Sequence, residues 1–236
     1  MQNPTHYIPI ITSTVSLIFT IVLFRRWRQK PGAIYLMWWT IGVLMFGVGT
    51  TTESLTSLFG WNPVVFKLWY ISGALLGGAP LAQGTVYLML RRKTAHILTV
   101  ILVVFVSIAA ILVILSPINM TLVEPTRLSG SVLAWPWVRL FSPFINTYAL
   151  IFLVGGAAWS AWQYWKKGSS SRVLGNVLIA TGALLPGIGG SFTRLGYVEV
   201  LYVTELTGIL LIWWGYHLMS SVAVTSIYAA QQQANQ

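Results

Sequence analysis

The chain has 236 residues, 56% of them hydrophobic and 8% charged, against about 25% charged in an ordinary soluble domain, so it reads as an integral membrane protein. Its net charge of +10 comes from basic residues in short stretches between apolar runs, which points to the lipid bilayer rather than nucleic acid as the partner. The absence of cysteine excludes disulfides, thiolate metal sites and cysteine nucleophiles; there is no aspartate, and the four acids are Glu53, Glu124, Glu199 and Glu205.

Residues 1–6 form a short polar start without the basic region of a signal peptide. The first apolar span covers residues 7–24, and RRWRQKPG (25–32) follows it. The second span covers 33–51, and 58–62 read as a tight turn. Pro63 opens the third span, 64–90, as a favourable first helical residue. That span is uncharged from Leu68 to Leu90, longer than the roughly 20 residues needed to cross the hydrocarbon core. Gly73 and Gly77 make a small-residue face, which predicts a helix inside the bundle. Pro80 predicts a kink, and Gln83 is expected to bond a neighbouring helix.

The fourth span covers 97–115. Residues 116–139 form the one long loop, whose segment LAWPWVRLF is expected to lie at the membrane interface as a short helix or elbow. The fifth span covers 144–162, the sixth 173–192 and the seventh 200–222. The sixth contains LLPGIGG, with Pro186, which suggests a broken helix. A Gln-rich polar tail, 225–236, leaves no room for a soluble domain. The fold expected is all-α: a single seven-helix membrane domain over residues 1–236.

Ten of the fourteen Lys and Arg residues lie in the loops after spans one, three and five: Arg25, Arg26, Arg28, Lys30, Arg91, Arg92, Lys93, Lys166, Lys167 and Arg172. Lys67, Arg127, Arg139 and Arg194 lie on the other side with all four Glu. The positive-inside rule then predicts an outward N-terminus and a cytoplasmic C-terminus, in a prokaryotic-type inner (plasma) membrane.

Glu53 and Lys67 flank the turn between spans two and three, and Arg194 and Glu199 that between six and seven. Each couple could be a plain hairpin-end ion pair, or both could line an outward-facing pocket for a small polar or zwitterionic ligand. Glu205 lies inside span seven, where a carboxyl is costly and a functional candidate by default; Arg194 or Arg139 could pair with it, and without a partner it is expected to be protonated, serving as a buried structural hydrogen bond, a ligand contact or a proton-linked switch. The candidate ligand-binding set is therefore Glu205, Glu53, Lys67, Arg139, Arg194, Glu199 and Gln83. His217 lies about 18 Å along the helix from Glu205 and cannot touch it. His217 and His96 sit at similar depth and could ligate a haem or chlorin, or simply be interfacial histidines. No catalytic residues, metal ligands or cofactor are predicted, since no intramembrane Ser–His pair or zinc-type spacing occurs; an enzyme is not expected. A non-covalent lipid or pigment remains compatible with the bundle.

The RRWRQKPGA loop leading into span two, Glu53 at the outer end of that span and the KLWYISGAL opening of span three resemble the seven-helix N-terminal sensor region of bacterial membrane histidine kinases. The resemblance covers about the first half of the chain. It implies a sensor, and because such sensors continue into a kinase or cyclase domain where this sequence stops, a stand-alone module whose protein partner supplies the effector. The topology is also similar to that of microbial rhodopsins, but span seven carries no lysine for retinal. The expected function is a sensor or receptor-like module responding to a small ligand or membrane signal through the outward polar cluster. Alternatives are an accessory subunit of a membrane complex and a small-solute or lipid carrier; the lack of an internal repeat weighs against the carrier.

Overall fold

The computed structural model describes residues 4–125 and 127–234, with side chains described through residue 220. The first three residues, the side chains at the end of the seventh span and those of the Gln-rich tail lie outside the described residues. Seven helices are long and apolar enough to cross a membrane: α1 (Pro4–Gln29), α2 (Ile34–Phe59), α3 (Pro63–Met89), α4 (Arg92–Leu115), α5 (Pro136–Lys166), α6 (Ser170–Arg194) and α7 (Val198–Ala234). Among the described residues there is no strand, only isolated bridges between Ile118 and Leu133 and between Glu124 and Arg127. This is the make-up of a multi-pass membrane protein.

The helices outrun the apolar runs that predict them. Arg and Gln are good helix formers, so α1 continues through Arg25, Arg26 and Arg28, and α6 through Arg194. The backbone, not hydropathy, sets the ends. Gly60 and Gly196 turn the chain after α2 and α6 at φ of 83° and 98°, a region that favours glycine. Asn62 then caps α3, its Oδ1 accepting from the Val64 and Val65 N–H groups at 2.9 and 3.3 Å, with Pro63 at the first helical position.

Helix α3 is the most buried of the seven, and it is discontinuous. Its π-helical turn Tyr70–Leu75 ends with the Leu76 N–H donating to the Ile71 carbonyl, five residues back, at 3.0 Å. Regular helix resumes at Ala79. Pro80 has no N–H to return to Leu76, so the expected irregularity falls at 76–78, just before the proline. Close approach accompanies it: a Cβ on Gly49 of α2 would lie 3.2 Å from the Gly73 Cα.

The long loop contributes to the core. Leu128, Val132, Leu133 and Val138 are buried with Phe66, Tyr70, Leu102 and Val106 in one apolar core. Within the LAWPWVRLF segment a short 3-10 helix, Pro136–Leu140, runs straight into the helix beginning at Phe141. Arg127 ties the loop to α6 by donating to the Thr193 carbonyl at 3.2 Å.

Helix α6 is unbroken from Ser170 to Arg194, contrary to the break expected at LLPGIGG. Pro186 withdraws the N–H that would have bonded the Gly182 carbonyl. That freed oxygen faces bare Gly208 on α7, where an added Cβ would lie 2.7 Å from it. The same pattern recurs at heptad spacing. A Cβ on Gly215 would lie 2.5 Å from the Gly175 carbonyl, and one on Gly189 would lie 2.7 Å from the Leu201 Cα. Helices α6 and α7 are thus a hairpin held at backbone contact by glycines, the geometry that strengthens dispersion and Cα–H···O contacts between membrane helices.

Replacing Gly208 by Val should therefore lower stability in detergent by ~2 kcal/mol or more, read from the unfolding midpoint. Gly187→Ala, where an added Cβ meets nothing within 4 Å, should leave the midpoint nearly unchanged.

Candidate functional site

The second half of α2 reads GTTTESLTS, a polar run that is nevertheless buried at Thr50, Thr52, Glu53, Ser54, Thr56 and Ser57. Five of its six hydroxyls bond back within the helix. Thr50, Thr52, Ser54 and Thr56 donate to the carbonyls of Gly47, Gly49, Thr50 and Thr52, the usual back-bonding of Ser and Thr in helices. Thr50 also meets Ser13 of α1 at 3.0 Å.

Glu53 has no such internal solution. It is 4% exposed, and Glu205 of α7 is 9% exposed. The two carboxyls lie within hydrogen-bonding reach of each other. Trp69 of α3 donates its Nε1–H to Glu53 Oε1 at 2.9 Å. Glu53 Oε2 and Glu205 Oε2 are buried without a donor among the described residues. Tyr202, one turn before Glu205 on α7, is buried and its hydroxyl lies within hydrogen-bonding reach of Ser57, one turn after Glu53 on α2. The site is therefore a three-helix polar cluster sealed by two aromatic rings.

No cation joins it among the described residues. The ion pairs there are His6–Glu199, at 3.9 Å, and Arg127–Glu124. The expected Glu53–Lys67 pair does not form: Lys67 Nζ instead donates to the Ile114 carbonyl at 2.6 Å, capping the open C-terminal end of α4. Nor does Arg194 pair with Glu199, which meets His6 where the N-terminal turn folds over α7. Glu205 bonds neither Arg194 nor Arg139; both guanidinium side chains belong to exposed residues. The structure thus brings together Glu53 and Glu205 and leaves Lys67, Arg139, Arg194 and Glu199 apart from them.

Gln83 belongs to a second network, toward the other end of the bundle. It is fully buried, and its Nε2 donates to the Ala95 carbonyl at 3.1 Å and to Thr99 at 2.8 Å on α4. Its Oε1 accepts from the Tyr148 hydroxyl of α5, as expected of a polar side chain seeking partner helices. Tyr87 bridges Thr99 to His96 Nδ1, each contact 2.9 Å. His96 is thus engaged by Tyr87, whereas His217 is exposed. Among the described residues no group of three or more His, Cys, Asp or Glu could hold a metal. An open surface cleft of about 360 Å³ is lined by Met89, Trp159, Ser160, Gln163, Tyr164 and Lys167; none of the predicted ligand-binding residues borders it.

Tyr202, Ser57 and Trp69 were absent from the expected site. Helical register could have supplied the first two, since residues three or four apart share a face, and Tyr202 and Ser57 stand in that relation to Glu205 and Glu53. Trp69 carries no such signal, because it reaches Glu53 from a different helix. No known family matches this chain, and no curated protein or solved structure shows significant similarity to it.

Trp69→Phe removes the N–H donor to Glu53 while keeping an aromatic ring. It should cost ~1–3 kcal/mol, the range for stranding a buried polar group, in detergent unfolding. Trp165→Phe, at an exposed ring, should cost far less.

Proposed function

We propose that the chain is a sensor-like membrane module whose sensing element is the cluster of Glu53, Trp69, Tyr202 and Glu205. The observation that carries this reading is the carboxyl pair itself: two buried acids on α2 and α7, within hydrogen-bonding reach of each other and without a compensating cation among the described residues. A structural polar contact in a membrane bundle needs no charge; Gln83 with Tyr148 and Thr99 does that work with neutral groups. Carboxyls kept in such a place are costly and mark function. Because they belong to different helices, any change in their charge or occupancy changes the force between α2 and α7.

The α6–α7 hairpin supports transmission of that force. Glu205 lies between Leu201, packed on Gly189, and Gly208, packed on Gly182. A shift of α7 at Glu205 therefore carries α6 with it and reaches the far end of the bundle. The charge bias of the loops supports an orientation with the cluster on the outer side of a plasma membrane and the basic loops inside, so that the module would pass an external condition to a protein partner on the cytoplasmic side.

The test uses the absence of native cysteine. Spin labels on Arg28→Cys and His217→Cys, at exposed positions of α1 and α7, report the separation of the two helices far from the cluster. Glu205→Gln and Glu53→Gln should each change that distance distribution in proteoliposomes. A distribution unchanged by both, in protein that remains folded and monodisperse, contradicts a signalling role for the pair.

A further inference from the structure

We propose that the cluster is a proton-binding site: Glu53 and Glu205 hold one proton between them, and gaining or losing it is the event the module senses. This rests on the sensor reading above and names its ligand.

The geometry leaves few other states. An ionised carboxyl offers only acceptors, so two ionised groups in contact cannot bond and repel each other at short range in an apolar surround. One proton converts the contact into a charge-assisted O–H···O⁻ bond, the strong kind. Glu53 already accepts from Trp69 Nε1 at 2.9 Å, which stabilises negative charge there. Glu53 is thus the carboxylate and Glu205 the acid that donates to it.

The surrounding elements offer no cation to do the same work among the described residues. On the N-terminal turn, His6 lies 3.9 Å from Glu199 and edge-on to the Tyr202 ring, centroids 5.9 Å apart. On α3, Lys67 is bonded to the Ile114 carbonyl, and Tyr70 is bonded with Ser142 of α5. Arg139 of α5 and Arg194 of α6 are exposed. On α7, Tyr202 contributes a neutral hydroxyl toward Ser57. Removing the shared proton leaves two facing negative charges and drives α2 from α7; adding a second replaces the charge-assisted bond with a weaker neutral one.

The composition makes the test clean. With four Glu and no Asp, protein grown on ¹³C-labelled glutamate has only four side-chain carboxyls in its isotope-shifted infrared region. Proteoliposomes at neutral pH should show the C=O stretch of one protonated carboxyl per chain, calibrated against the four seen when all are protonated in acid. The band should shift or vanish in both Glu53→Gln and Glu205→Gln, and persist unchanged in Glu124→Gln and Glu199→Gln. Absence of a protonated carboxyl at neutral pH, whether or not sodium alters the spectrum, overturns the proposal, as does a band of two carboxyls or one that only a single variant of the pair affects. The spectrum is independent of the spin-label distances. A shared-proton band with unmoved labels would retain the site and retire the sensor; moved labels without the band would do the reverse.

Discussion

Two buried carboxyl groups within hydrogen-bonding reach of each other, inside an apolar helix bundle, are the constraint around which this molecule is arranged. Their partners come from three helices. Glu53 requires α2 to be buried at its most polar stretch, Trp69 requires the first half of α3 to lean against that stretch, and Glu205 requires α7 to approach from the other side. Each requirement is met by a local device. Threonine and serine hydroxyls of α2 bond back to their own helix, so a hydroxyl-rich surface can be buried. The Asn62 cap and the Gly60 turn fix where α3 starts, and with it which of its side chains faces Glu53. The glycines of α6 and α7 set the depth to which α7 can sink.

The contrast between the two polar networks is informative. Gln83, Tyr148, Thr99 and Tyr87 close a set of neutral hydrogen bonds in which donors and acceptors alternate, as a membrane interior demands. Such a network ties α3, α4 and α5 together and responds weakly to its surroundings. The Glu53–Glu205 contact lacks that closure, because carboxylates bring acceptors to acceptors. A fully satisfied network rigidifies a core, whereas the proposed shared proton would make the distance between two helices conditional. Under the proposed shared proton, the same bundle would have a fixed half around Gln83 and a conditional half around Glu205.

Much of this was legible in the sequence. Seven long apolar stretches give the seven helices, and Pro80 beside Gly77 and Gly78 marks the discontinuity of α3. Glu205 stands out because a carboxyl within YVTELTGILL has no local reason to be there. What the sequence withheld is which helices meet. Pairing Glu53 with Lys67 across a hairpin is the natural expectation from charge and proximity, but a helix presents different faces to different neighbours, and Lys67 faces the end of α4. Pro186 misleads for a related reason: one missing N–H need not break a helix when the freed carbonyl rests against a glycine of the next one. The heptad spacing of Gly175, Gly182 and Gly189 was visible, yet its meaning depends on Gly208 and Gly215 lying opposite.

The central claim is that Glu53 and Glu205 act as one unit, and a double-mutant cycle tests it most directly. Unfolding midpoints of the parent, Glu53→Gln, Glu205→Gln and the double variant should be strongly non-additive, with a coupling of ~0.5–3 kcal/mol as expected for groups in contact. Strictly additive effects would mean that the two carboxyls do not interact, and that the cluster is not the unit described.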